Sequence, residues 1–379
     1  MPIAKTRAKD LLINDLEHIT ATDFSHFKLF FTLAKVFNSF AMSESKFYHF
    51  SPSGLFYGVN SVEEAITASK EGGFIWLNFY NPPAEELHSL IDSMEVHPLS
   101  VEDCLDSNQV PKIEQFPNNT FVIFNAFTYT DKTLFIDEID LFLGKNFLIT
   151  VNGIQSEGRK PLNGVIDIVE NDPGLARTGP AFLMQVVLDY IVDEKLEAID
   201  SLEDELGQAE DNVLNNPAAF KPSELMRLKK YLVNLRKALF HEREILVKIC
   251  RMDCPFIPEK AIFHFRDIYD HLAKFFELTE TDREMVTSLM ELYTSLLNNQ
   301  MTKMSNDTNN SVKRLTMIAT IFMPLTLIAS IGGMSEWTMM TGQENWRTSY
   351  PIFIAGMAVI AVITYFLITI IEKRSQKDQ

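Results

Sequence analysis

Cysteine is scarce in this chain of 379 residues, which contains only Cys104, Cys250 and Cys254. They form no CxxC pair and have no neighbouring histidine ligand, which argues against a disulfide scaffold or structural zinc site and predicts reduced, buried thiols. Positively charged residues are also few: the chain has 34 Lys and Arg against 51 Asp and Glu, which gives a formal charge of −17. That balance argues against nucleic acid or anionic lipid headgroups as partners. It suits a protein that handles cations, although many acidic domains are simply well solvated.

Catalytic motifs are missing too. The sequence has no phosphate-binding glycine loop, no nucleophile elbow and no catalytic cluster of metal ligands. His264 and His271 are predicted to be ordinary helix-surface histidines. We therefore expect neither enzymatic activity nor a bound cofactor.

The N-terminal segment, residues 1–45, lacks the features of a signal peptide. Its semi-apolar run, Leu29–Met42, is interrupted by Lys35 and Asn38 and follows several acidic residues. An amphipathic or poorly ordered leader is the preferred interpretation.

Two uncharged apolar runs, Leu315–Ile331 and Tyr350–Ile371, lie near the C-terminus. A bilayer core about 30 Å thick needs about 20 apolar helical residues, so both runs are predicted to span a membrane, the first as the end of a longer helix. The loop between them, residues 332–349, carries two glutamates and a single arginine, whereas cations flank the runs on their outer sides. By the positive-inside rule, both termini are predicted to be cytoplasmic. The expected location is the plasma membrane, or the inner membrane if bacterial, with the chain crossing it more than once. The flanking cations are Lys313, Arg314, Lys373, Arg374 and Lys377.

The residues before the first span predict two cytoplasmic parts. Residues 46–180 alternate β-type runs, such as Phe74–Tyr80 and Phe147–Val151, with helical stretches, which indicates an α/β domain. Residues 181–257 form an acidic and then a basic amphipathic helix, and an antiparallel hairpin with complementary faces is expected.

A third helical stretch, residues 258–331, has no Gly or Pro until Pro324 and is predicted to run unbroken into the first span at residues 315–331. At 1.5 Å per residue, about 70 residues give a rod on the order of 100 Å. Its apolar residues, Leu289, Leu292, Leu296 and Leu297 among them, need lateral partners, which points to a homo-oligomeric stalk.

One face of the first span, taken at three- and four-residue steps, becomes small and polar towards the loop that follows. Such a face has two ordinary explanations, close helix packing or a pore lining, and periodicity alone favours packing. Neither span contains an ionisable residue, whereas proton-coupled carriers usually place carboxylates there. A pore of neutral oxygen groups would suit a hydrated cation moving down its gradient, because Mg²⁺ sheds water reluctantly.

Several blocks of sequence resemble the CorA family of divalent-cation channels. Thr316–Thr326 followed by Gly333-Met334 resembles the first membrane helix and the Gly-Met-Asn signature of that family. His97–Leu105, Pro111–Glu114 and Phe265–His271 are similar to family landmarks and occur in the expected order.

The resemblance covers the chain from about residue 46 to the C-terminus. It implies an α+β or α/β cytoplasmic domain, a long α-helical stalk and two C-terminal transmembrane helices, assembled as a funnel-shaped homopentamer whose first spans line a central pore. By position, the implied pore lining is Asn309, Val312, Leu315, Thr316, Ala319, Met323, Thr326, Ser330 and Gly333, and the implied entrance and selectivity residues are Gly333, Met334 and Ser335.

The resemblance also implies regulatory cation sites between neighbouring cytoplasmic domains. The matching acidic residues are Glu102, Asp103 and Asp267, with Asp103 and Asp267 the preferred pair. The alternative is structural: Asp103 would cap or pair near its own helix start, and Asp267 would pair with the adjacent Arg266.

Two positions depart from the family pattern: Ser335 replaces the signature asparagine, and Gly332 replaces the aromatic residue usual before it. The stalk is also about two helical turns longer than in some relatives. The expected function is gated, passive transport of a divalent cation, Mg²⁺ first, with Co²⁺ or Ni²⁺ as surrogates and Mg²⁺ also as regulatory ion. The alternatives are a zinc transporter of the same superfamily and a non-conducting membrane metal sensor or scaffold.

Overall fold

The structure is a computed structural model that describes residues 45–53, 56–106, 109–154, 156, 158–176, 178–334, 339 and 342–375. The predicted leader at residues 1–45 therefore lies outside the described residues, except for Ser45. Ser335 lies outside them as well.

The described residues contain a seven-stranded mixed sheet with the strand order β2-β1-β3-β7-β6-β5-β4. Strands β3 and β7 pair in parallel, and every other neighbouring pair is antiparallel. The strands are β1 (Lys46–Phe50), β2 (Phe56–Val59), β3 (Phe74–Tyr80), β4 (Lys112–Gln115), β5 (Asn119–Thr130), β6 (Thr133–Gly144) and β7 (Phe147–Asn152).

Eight helices accompany the sheet in the described part of the chain, apart from short 3₁₀ turns. They are α1 (Val62–Ser69), α2 (Ala84–Met94), α3 (Pro98–Leu105), α4 (Asn163–Asn171), α5 (Pro180–Asn215), α6 (Pro222–Cys250), α7 (Ile262–Gly332) and α8 (Trp346–Ser375).

The long β5–β6 hairpin is set by its turn. Asp131 and Lys132 have φ values of 51° and 62°, which is the left-handed pair that a two-residue hairpin turn requires. Every residue from Asn119 to Thr130 then pairs with β6, in a register that ends at Thr130 opposite Thr133.

Both faces of the sheet are covered. Helices α1, α2 and α3 close one face through a core that includes Ala65, Leu90 and Cys104. On the other face, Tyr48 of β1 donates a 2.6 Å hydrogen bond to Glu170 of α4. The near-continuous apolar runs of β3 and β7 follow from this double coverage.

Helices α5, α6 and the first part of α7 bury apolar stripes at three- and four-residue spacing, as amphipathic helices do. Arg227 of the basic α6 forms an ion pair with Glu205 of the acidic α5. A second ion pair joins the same helices with the charges reversed, since the lysine lies on α5. Lys195 Nζ lies 2.7 Å from Glu242 Oε2, and both side chains are fully buried.

Contacts divide the chain into two compact units, residues 45–211 with 221–289, and residues 212–220 with 290–375. The first unit holds the sheet, helices α1 to α4 and α6, most of α5 and the first part of α7. In the second unit, two helical stretches are long and apolar enough to cross a membrane, and neither apolar window is buried. An α/β domain, one helix of 71 residues and two apolar C-terminal helices confirm the predicted fold class of the single chain.

Candidate ion pathway and regulatory carboxylates

The residues implied to line a pore share one side of the second half of α7. At about 100° per residue, they centre on the side opposite to the partly buried positions of this stretch, which are Met317, Ile321, Pro324, Leu325, Ile328 and Gly332. On the implied pore side, Met323 is 76% exposed. The other implied pore residues are exposed as well. They are Asn309, Val312, Leu315, Thr316, Ala319, Thr326, Ser330 and Gly333.

The partly buried side of α7 meets the second apolar helix at Gly332. A Cβ atom built on Gly332 would lie 2.6 Å from Phe353 Cζ of α8, a separation that real Cβ atoms do not show. The residue that replaces the usual aromatic side chain thus leaves space for an aromatic ring from the neighbouring helix.

The hydroxyl groups of the exposed side bond to their own helix. Thr316 donates to the Val312 carbonyl at 2.9 Å, Thr326 to Phe322 at 2.8 Å and Ser330 to Thr326 at 2.8 Å. A hydroxyl has one proton and two lone pairs. With the proton occupied by the backbone, these oxygens can offer only acceptor capacity to anything that passes along this side.

The helix end lies at the implied entrance. Gly333 and Met334 close the last turn through backbone hydrogen bonds to Ala329 and Ile331, at 3.0 and 3.2 Å. The geometry of the third implied entrance residue, Ser335, lies outside the described residues.

Asp103 and Glu102 lie on α3, which begins at Pro98, directly after the capping residue His97. Asp103 Oδ2 accepts a hydrogen bond from Lys112 Nζ at 2.7 Å, and the Asp103 side chain is 23% exposed. The pair joins α3 to strand β4, so Asp103 does not find its partner at its own helix start. Glu102 is exposed.

Asp267 lies on α7, and 73% of its side chain is exposed. Its ion-pair partner among the described residues is His271, one turn along, at 4.0 Å, rather than the adjacent Arg266. His264 and His271 are both exposed, as predicted.

One carboxylate near Asp267 escaped the sequence analysis. Burial, followed by the nearby charges of Asp193 and Asp267, raises the pKa of the half-buried Asp189 on α5. The spacing of Asp189 and Asp193 in an acidic helix was visible in the sequence, but their proximity to Asp267 was not. Within the part of the chain described, no three His, Cys, Asp or Glu side chains converge as a ready metal-ligand group.

The predicted thiols are present as free cysteines in this structure. Cys104 and Cys254 are buried, as expected, whereas Cys250 is half-buried. Burial raises the pKa of all three thiols, and for Cys104 the negative charge of Asp140 adds to the effect.

Residues 71–374 match the family model of the CorA-like Mg²⁺ transporter protein. The chain is 35% identical over 272 residues to the cobalt/magnesium transport protein CorA of Thermotoga maritima, covering 71% of this chain and 74% of that protein. It is 26% identical over 291 residues to the protein of the same name from Methanocaldococcus jannaschii, covering 77% and 89%. The complete structure of the M. jannaschii CorA magnesium transporter superposes with a TM-score of 0.64 at 23% identity, covering 85% of this chain and 96% of that one.

Proposed function

The chain belongs to the CorA-like Mg²⁺ transporter family, and we propose that five copies form a gated channel through which Mg²⁺ crosses a membrane passively. As a member of a transporter family, the chain is not an enzyme. The single observation that carries the pore assignment is the division of α7 into two sides. One side holds the partly buried positions, with Gly332 against α8, and the opposite side presents Thr316, Thr326 and Ser330.

A pore lined in this way would handle a hydrated ion. Mg²⁺ gives up its water ligands reluctantly and prefers oxygen ligands. Hydroxyl oxygens that only accept hydrogen bonds can accept them from those water ligands without removing the waters from the ion. No acidic or basic residue occurs between Leu315 and Gly332, so nothing in that stretch would hold the ion tightly or couple its movement to a proton.

The proposal of several copies rests on exposed apolar surface. Between residues 298 and 316, every position of α7 is exposed, including the large side chains of Met301, Met304, Val312 and Leu315. A helix with this much uncovered apolar surface requires lateral partners. A second copy of the same helix, offset around an axis, supplies that cover, and five copies are the number that the family implies.

For regulation, we propose that a cation binds between Asp103 of one copy and Asp267 of the next, with Glu102 nearby. Such an ion would neutralise the facing carboxylates and hold neighbouring domains together in a closed ring. At low cytoplasmic Mg²⁺ the ion would leave, and repulsion would favour an open arrangement. Asp189 beside Asp267 adds to the negative charge that the ion would neutralise.

The proposed location is the plasma membrane, or the inner membrane of a bacterium, with both termini cytoplasmic. The positive charges outside the two apolar runs support this orientation. With the termini inside, residues 332–349 face outward, and Gly333, Met334 and Ser335 stand at the outer mouth.

Flux through purified protein in liposomes tests the proposal. Met323→Trp places a bulky ring on the proposed pore side and should abolish Mg²⁺ uptake while leaving the oligomer intact by size-exclusion chromatography. Ile318→Trp is the matched control, because Ile318 is 54% exposed on a different side of the same helix. Intact wild-type oligomers without Mg²⁺ uptake under a gradient would contradict conduction, and equal uptake by both variants would contradict the assigned pore side.

The preferred ion is tested in the same liposomes. Competition between Mg²⁺ and Zn²⁺, with and without a proton gradient, separates a magnesium channel from a zinc transporter. Ser335→Asn restores the family signature, and a shift of preference towards Mg²⁺ would locate selectivity at that position. A protein that binds ions but conducts none would instead be a membrane metal sensor or scaffold.

A further inference from the structure

The α/β domain and helix α6 form a partly open cavity of about 270 Å³. It lies where the end of α3 and strands β5, β6 and β7 approach helix α6. Its polar lining includes Cys104, Asn125, Glu138, Asp140, Asn234 and Lys237. None of these residues belongs to the proposed pore, and the cavity lies inside a single chain.

Asp140 is the unusual member of this lining. Its side chain is buried, with the residue only 2% exposed. Oδ2 accepts a hydrogen bond from Cys104 Sγ at 3.0 Å, but Oδ1 has no hydrogen-bond donor among the described residues. A thiol is a weak donor. A buried carboxylate with so little compensation is costly unless a cation or a proton reaches it.

Glu138 supplies a second carboxylate from the same side of β6, two residues before Asp140. One of its oxygens accepts a hydrogen bond from the Gln109 backbone N–H at 3.1 Å. Glu138 and Asp140 both line the cavity, so two carboxyl groups share one space.

None of the basic side chains near the cavity forms a described ion pair with Glu138 or Asp140. Arg159 bonds Asp137 through two nitrogens, at 2.8 and 2.9 Å. Lys112 pairs with Asp103 and also with Glu114. Lys237 lies on the α6 wall with an exposed side chain. No ion pair between Lys237 and either cavity carboxylate occurs within the residues that the structure describes.

We propose that this cavity binds one hydrated divalent cation of the Mg²⁺ class, held by Asp140 Oδ1 and Glu138 with amide oxygens of Asn125 and Asn234. Its volume accommodates an ion with several waters, since a water molecule occupies about 30 Å³ in the liquid. Mg²⁺ characteristically binds through one or two carboxylates while keeping part of its water shell.

Cys104 leaves oxygen ligands for the ion. Its Sγ donates a hydrogen bond to Asp140 Oδ2 at 3.0 Å, so the sulfur carries its proton in this arrangement. Soft ions such as Zn²⁺ bind cysteine as the thiolate, whereas a hard ion such as Mg²⁺ prefers oxygen.

Binding here is independent of conduction. Met323→Trp is expected to block flux and to leave the cavity ion in place, so failure of either proposal is recognised separately. Cys104 follows Asp103 directly on α3, so the cavity ion lies behind the helix that carries a proposed inter-subunit ligand.

Mn²⁺, an oxygen-seeking probe with a strong anomalous signal, provides the first test. Crystals of the unmodified full-length protein grown with Mn²⁺ should show an anomalous peak between Glu138 and Asp140. This measurement needs no variant and is unaffected by any effect of substitution on folding. A cavity without a peak in crystals that carry Mn²⁺ elsewhere on the protein would overturn the proposal.

Equilibrium dialysis of the full-length protein in detergent provides the second test. Asp140→Asn should lower the number of bound Mn²⁺ ions by one per chain, and Glu138→Gln should weaken that ion at least tenfold. Asp282→Asn removes a buried carboxylate outside the cavity and should change neither quantity. Unchanged binding in Asp140→Asn would overturn the proposal, as would a thiolate-to-metal absorption band that appears with Co²⁺ and is lost in Cys104→Ser.

Discussion

Lys112 Nζ lies 2.7 Å from Asp103 Oδ2, so the carboxylate proposed to bind a regulatory cation already has a positive partner in its own chain. A cation arriving from the solvent must compete with that ammonium group. Burial disfavours the charged lysine, but its hydrogen bonds with Asp103 and Glu114 outweigh burial and raise the pKa of Lys112. The competitor is therefore fully charged at neutral pH.

Lys112→Met is expected to tighten regulatory binding, because Asp103 then has no internal partner. The Mg²⁺ concentration that halves flux should fall about three- to tenfold, which corresponds to roughly 1 kcal/mol for a partly exposed ion pair. Liposome flux across a series of internal Mg²⁺ concentrations measures it. Lys46→Met breaks an exposed pair with Glu170 and serves as the control. An unchanged or higher half-closing concentration would contradict a regulatory role for Asp103.

Thr326→Val tests the acceptor oxygens of the proposed pore side. Valine keeps the shape of threonine but removes the oxygen, so Mg²⁺ flux should fall several-fold without loss of oligomer. Thr369→Val is a matched control, because Thr369 makes the same kind of bond, at 2.8 Å to the Tyr365 carbonyl, on the other apolar helix, α8. Equal losses in both variants would indicate a general effect of removing a hydroxyl from a membrane helix instead of a pore contact.

Gly332→Ala tests the packing of the two apolar helices. The added methyl group would lie 2.6 Å from Phe353 Cζ, and overpacking of this kind typically costs about 1–3 kcal/mol. We expect a lower midpoint for thermal dissociation in detergent. Gly356→Ala is the control, since its added Cβ meets nothing within 4 Å and alanine favours helix. Combining Gly332→Ala with Phe353→Leu should recover part of the loss, and a loss insensitive to residue 353 would exclude this contact as the cause.

The buried pair of Lys195 and Glu242 predicts an asymmetric response to substitution. Burial lowers the pKa of Lys195 to about 8, against the opposing effect of Glu242, and burial raises the pKa of Glu242. Lys195→Met leaves the carboxylate without its counterion and should destabilise the protein by about 3–5 kcal/mol. Lys195→Met with Glu242→Leu should lose clearly less. Urea unfolding of the wild type, the two single variants and the double variant measures both losses of stability. Losses that simply add would contradict coupling between Lys195 and Glu242.

Asp282 predicts a pH dependence of stability. Burial, with a contribution from Glu203, raises its pKa to about 6, above the ordinary value near 4. The folded state therefore prefers the protonated acid, and that contribution to stability is complete below pH 4 and is lost as the pH rises through 6. Asp282→Asn should stabilise the protein at pH 7.5 by up to about 3 kcal/mol and have little effect at pH 4. Asp92→Asn, on an exposed position of α2, is the control; a pH-independent difference would contradict the prediction.

Regular patterns made the fold class predictable. The apolar run Phe74–Tyr80 coincides with β3, and the absence of Gly and Pro before Pro324 allows the unbroken α7. The side of α7 that the resemblance assigned to a pore is the side opposite to the packed one, although periodicity alone favoured packing. The strand at Phe74–Tyr80 and the unbroken α7 were predictable because each depends only on neighbours along the chain.

Partners distant in sequence were not predictable. A lysine in an acidic helix is expected to be exposed to solvent. Lys195 is instead fully buried, because Glu242, 47 residues further along the sequence, faces it. Likewise, Cys104 and Asp140 are 36 residues apart, and only the packing of α3 on the sheet brings them together. The Arg266 pairing in the structural alternative for Asp267 was wrong for a local reason, since side chains one turn apart meet on a helix and adjacent ones point apart.

The hydroxyls of Thr316, Thr326 and Ser330, bonded back to their helix, have a consequence for how ions of opposite sign would be told apart. An oxygen that can only accept presents the negative end of a dipole, so an anion meets no hydroxyl donor at these three positions. Fixed charges lose influence as salt shortens their range to about 8 Å at physiological ionic strength. Dipoles in direct contact with an ion are not screened in this way. A preference for cations over anions that arises from these oxygens should therefore persist at high salt concentration.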